Sequence, residues 1–102
     1  MVGRPRWLRS AGRRDDNEPG IVDGLKRLGA SVDKLPGGGG RPDLLVGFQG
    51  TNYLIRVAGI EKCKRFRTSG GLSESEMDFN ARWRGRKIPS VTSLGEALEV
   101  IT

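Results

Sequence analysis

The stretch "PDLLVGFQGTNYLIRVAG", Pro42 to Gly59, decides the fold. Two apolar runs, "DLLVGF" (43–48) and "NYLIRVA" (52–58), flank a turn at Gln49-Gly50, which predicts a β-hairpin. Side chains alternate along a strand. Leu54, Arg56 and Ala58 therefore share one face of the second run, and Tyr53, Ile55 and Val57 share the other. An arginine thus sits mid-strand, opposite the lone acid Asp43 at the head of the partner strand.

Outward from the hairpin, "RRDDNEPGIVDGLKRLG" predicts a helix over Asn17 to Leu28. Asp and Asn are capping candidates, and Pro19 suits a first turn. Ile21, Val22, Leu25 and Leu28 recur at helical spacing, and Gly29 is a stop. "ASVDKL" predicts a short strand. The glycines Gly37–Gly40 read as a flexible connector, because a phosphate-binding loop needs a lysine and Ser/Thr opening a helix. Residues 59–72 show no period and read as a basic loop. In "SESEMDFNARWRG", Ser73 and Glu76 form a capping box for a second helix, with Met77, Phe79 or Asn80, and Trp83 near one face. Beside Phe79, Trp83 reads first as core, with stacking on a base the alternative it shares with Trp7. "KIPSVTS" gives a short strand around Ile88 to Val91, with Pro89 marking an edge. "SLGEALEVI" closes the chain with a helix capped by Ser93 and a second box at Glu96. The order is α-β-β-β-α-β-α, an α/β class.

A chain of 102 residues forms one domain, and its apolar content of 35% with 16 glycines suits a compact, loop-rich unit. No apolar run approaches the ~20 residues of a membrane span. The arginine-rich start lacks the apolar segment of a secretory signal. Cys63 is the single cysteine, so no intramolecular disulfide forms and a reducing, cytoplasmic setting is expected. With no histidine, His-based triads and most zinc sites are excluded. Catalysis would rest on carboxylates, lysines and a hard, oxygen-ligated cation.

Net charge is +6, unevenly spread. Residues 1–14 hold Arg4, Arg6, Arg9, Arg13 and Arg14 with Trp7 and no acid, and we read them as a flexible basic arm preceding a domain over 15–102. Two further clusters, "KCKRFR" (Lys62, Lys64, Arg65, Arg67) and "RWRGRK" (Arg82, Arg84, Arg86, Lys87), add to it. With Arg41 and Arg56, and leaving out Arg82, these are the expected contacts to a polyanion, DNA first.

The blocks "PDLLVG" with "YLI", the "RWRG" helix end and the "SLGEAL" tail resemble the small standalone VRR-NUC nucleases of phages and bacteria, within the PD-(D/E)XK superfamily. The likeness runs from about Arg13 to Ile101. The resemblance implies a restriction-endonuclease-like core around a mixed sheet, Mg²⁺ or Mn²⁺ as cofactor, phosphodiester hydrolysis of DNA, and a homodimer. It matches Asp43 to the metal-binding aspartate of the PD half-motif and Glu18 to a supporting acid on the first helix. The E-X-K half falls on Arg56, Val57 and Ala58. The histidine common in the second helix is Asn80, and the acid after the lysine is Gly59.

Two carboxylates normally hold the cation that activates water, and a lysine orients that water or neutralises developing charge. Replacing the glutamate by Arg56 shifts local charge by two. A guanidinium there would pair with Asp43, in the place of the metal, and at 4 Å and an effective dielectric near 20 each charge contact is worth about 4 kcal/mol. Ala58 removes the ammonium as well. The expected protein therefore binds DNA with catalysis impaired, using Mg²⁺ or Mn²⁺ if activity remains and otherwise no cofactor. One alternative is an active enzyme in which Glu61, beside Lys62 or Lys64, substitutes for the missing acid. The other is a protein-interaction module on the same fold.

Overall fold

The computed structural model describes residues 17–102, so the basic arm at 1–14, with its five arginines and Trp7, lies outside the described residues. Helix α1 spans Glu18–Arg27, strand β1 Ser31–Lys34, β2 Leu44–Phe48 and β3 Thr51–Val57. Helix α2 (Ile60–Arg65) and a 3-10 turn (Arg67–Ser69) follow, then α3 (Glu74–Arg82), β4 (Ser90–Val91) and α4 (Leu94–Ile101). The chain is an α/β fold around a four-stranded mixed sheet in the order β1-β2-β3-β4. The first two pairings are antiparallel and β3–β4 is parallel.

The hairpin forms where the alternation places it. Phe48 pairs with Thr51 across a two-residue turn, and Gln49 (φ 50°) and Gly50 (φ 80°) both take positive φ. That backbone matches the right-handed twist of the flanking strands. One face of the sheet builds the apolar core, in which Leu44 and Val46 of β2 and Ile55 and Val57 of β3 meet Ile21, Val22 and Leu25 of α1 and Ala97 and Ile101 of α4. Each large side chain buried there contributes roughly 1.5–3 kcal/mol.

Several local expectations change in three dimensions. Asn17 does not cap α1 through its side chain; its Nδ2 donates instead to the carbonyls of Thr92 (2.7 Å) and Ala58 (3.3 Å). Leu28 stays 48% exposed, because α1 ends before it. Residues 59–72 are not one loop, since α2 and the 3-10 turn lie within them. The box at Ser73 forms with both hydrogen bonds. At α4, Ser93 caps the Glu96 amide, but Glu96 reaches back to Thr92, accepting from its amide at 2.6 Å and its hydroxyl at 2.9 Å. Trp83 is not core: it is 44% exposed.

Candidate functional site

The second face of β3 is where chemistry-bearing residues gather. Arg56 is fully buried, one position from the fully buried Ile55 and Val57 that point the other way. A buried guanidinium must place its N–H donors on acceptors, or burial costs far more than packing returns. Each nitrogen of Arg56 does so. Nε donates to Asn80 Oδ1 (3.1 Å) and Nη1 to the Arg41 carbonyl (3.0 Å). Nη2 donates to the Gly40 carbonyl (2.5 Å), to Asn80 Oδ1 (2.8 Å) and to the Glu76 carbonyl (3.3 Å). Glu76 supplies the counter-charge, with Oε2 3.6 Å from Nη1. The Phe79 ring stands beside the guanidinium, its centroid 5.7 Å from Cζ.

These acceptors come from two segments. Gly40 and Arg41 end the glycine connector before β2, and Glu76 and Asn80 sit one turn apart on α3. Arg56 therefore ties the connector and α3 down onto the sheet. The connector is accordingly fixed at its end rather than flexible throughout. Gly40 is buried with φ 76°, and a Cβ there would run into the Ser75 carbonyl of α3.

Electrostatics follow from this packing. Burial lowers the Arg56 pKa from the usual arginine value, while Glu76 and Asp43 oppose the shift. For Glu76, burial pushes the carboxyl upward. The Lys62 ammonium at 2.5 Å, the Ser73 amide and Arg56 outweigh that and hold it below the usual carboxylate range.

Asp43 is half-buried at the head of β2 and does not form the expected pairing at hydrogen-bond range with Arg56 in place of a metal. Its Oδ2 accepts from the Val57 amide at 2.7 Å, and its own amide and carbonyl bond Ile55 and Leu35. Glu18 is buried at the start of α1. Ala58 is buried, and its amide donates to the Val91 carbonyl. Glu61 is exposed in the first turn of α2. Among the described residues no group of three or more His, Cys, Asp or Glu side chains comes together to hold a metal ion. At position 56 the strand thus presents a buried guanidinium and not a carboxylate ligand for a divalent cation.

The expected DNA contacts divide. Arg41, Lys64, Arg65, Arg67, Arg84, Arg86 and Lys87 are exposed. Arg56 is not available to a phosphate, because it has no exposed surface and its donors are taken. Lys62 is half-buried and paired with Glu76. Sequence reasoning missed Glu76 and Asn80 as the partners of Arg56. Their signal was an acid and an amide four residues apart on one helix, the spacing that presents two acceptors on one face. The chain matches no family model, no curated protein and no solved structure.

Proposed function

We propose that this protein binds DNA on a restriction-endonuclease-like scaffold of VRR-NUC type in which metal-dependent cleavage has been lost. The observation that supports this reading is the buried Arg56. At the position of the motif glutamate the protein carries a guanidinium whose donors serve the connector and α3. With Ala58 in place of the lysine, neither half of the E-X-K chemistry has a residue to perform it. The exposed basic residues of the α2 region and of the segment after α3 supply the attraction to phosphate. A second copy of the chain would double that surface, which sedimentation of the free protein tests.

The test is titration of the full chain onto duplex DNA across a salt series, alongside incubation with Mg²⁺ or Mn²⁺. We expect retention at low salt, with log K falling by about 0.9 per unit of log salt for each phosphate contacted. We expect no product in either metal. Absence of retention at low salt overturns the DNA assignment. Cleavage that disappears in Asp43→Ala overturns the loss of catalysis, and cleavage that disappears in Glu61→Ala assigns that acid as its substitute.

A further inference from the structure

Helix α3 ends at Trp83, and there the chain turns from helical to extended backbone (φ −72°, ψ 127°). The indole stacks on Phe79, four residues back, with centroids 5.6 Å apart and planes 16° from parallel. Phe79 is itself half-buried beside the Arg56 guanidinium, and the Arg82 guanidinium approaches the same ring. Trp83 is thus held flat against a ring anchored in the fold, yet it remains 44% exposed. At Gly85 a Cβ would stand 2.8 Å from the indole Nε1, so the passing chain has no side chain where one would crowd the ring.

The flanking chemistry has one sign. From Phe79 to Gly95 the chain carries Arg82, Arg84, Arg86 and Lys87 and no acid. Among the described residues no salt bridge engages Arg84, Arg86 or Lys87. Arg86 lies over the Tyr53 ring, 5.1 Å from its centroid, which fixes that cation close to the sheet. A held, exposed aromatic ring beside cations that no described acid engages suits one ligand: a nucleobase stacked on the ring, with its phosphates on the cations. In a duplex, bases are stacked on each other and their faces are closed to protein.

We infer that Trp83 is a stacking platform for an unpaired base, with Arg84, Arg86 and Lys87 holding the adjoining phosphates, so that the protein prefers single-stranded DNA or unpaired positions over intact duplex. This inference rests on the DNA-binding reading above and narrows its substrate class. The test uses the full chain with Trp7→Phe, which leaves Trp83 as its single tryptophan. Emission is followed while oligothymidylate, or duplex of equal length, is added at low salt. Oligothymidylate should quench Trp83. Trp83→Leu in the same background should weaken oligothymidylate binding roughly ten-fold or more and duplex binding by no more than about two-fold. Trp83→Phe, which keeps a ring, should retain most of the affinity, and circular dichroism checks that each variant folds. Unchanged oligothymidylate affinity in Trp83→Leu, equal losses for both DNA forms, or an emission shift with protein concentration alone (a second copy covering the indole) overturns the platform while DNA binding stands. Failure of both DNA forms to bind overturns the DNA-binding reading and the platform with it.

Discussion

The two faces of β3 solve the same burial problem by opposite means. On one face, Ile55 and Val57 are fully buried against α1 and α4 by packing alone. On the other, Arg56 is as deeply buried, but within carbonyls, an amide oxygen and a carboxylate. The apolar face tolerates exchange of one hydrocarbon for another of similar volume. The polar face does not, because each acceptor turned toward Arg56 loses its partner when the donor goes.

The largest effect should come from Arg56 itself. Arg56→Ala is expected to cost about 3–5 kcal/mol, since it takes the donor from the Gly40 and Arg41 carbonyls and Asn80 Oδ1 and empties a fully buried site, while Glu76 keeps Lys62 and the Ser73 amide. Urea denaturation of the full chain measures it. Arg56→Glu, paired with Ala58→Lys to rebuild the motif, should be no milder, because the new carboxylate would face the Gly40, Arg41 and Glu76 carbonyls. A stable, cleaving double variant would break the contrast between the faces. Gly40→Ala comes next, at about 1–3 kcal/mol, because the φ of 76° and the Ser75 carbonyl leave a Cβ no room. It should loosen the connector without disturbing the core, which hydrogen exchange of the α3 amides would register.

The smallest effect is one of pH. Glu76 is held below the usual carboxylate range in the folded protein, so the unfolded chain takes up its proton first as pH falls. Its contribution is therefore complete above the ordinary glutamate value of about 4.3 and is lost as pH drops through the folded value. Glu76→Gln should flatten that acid limb of the stability curve, while core substitutions such as Leu25→Ala should only shift the curve down. An unchanged limb would show that Glu76 does not carry the charge balance of the polar face.

The apolar half of this architecture was legible because it obeys two periods. Alternation at 53–57 and helical spacing at Ile21, Val22 and Leu25 place those residues on the core side where the fold has them. The helix caps at Ser73 and Ser93 were readable for a similar reason, as their partners lie three residues along the chain. The polar half was legible only as an anomaly. That Arg56 was unusual showed in the strand pattern, but its partners are 15 to 24 residues away and three of the acceptors are backbone carbonyls, which no residue type announces. Trp83 misled for a related reason. Its spacing from Phe79 is helical, yet the ring pair lies at the end of α3, where one member remains at the surface.

Asp43 carries a consequence for how such chains are read. Its carboxylate closes a gap in the β2–β3 ladder by accepting the Val57 amide, beyond the last paired residues of β2. Selection for a foldable hairpin would then keep an aspartate after Pro42 whether or not any phosphodiester is ever cut. A lineage could shed its chemistry and still display the most recognisable letter of the nuclease signature. In this protein Asp43 holds a strand end in place, and Arg56 holds the connector and α3 on the sheet.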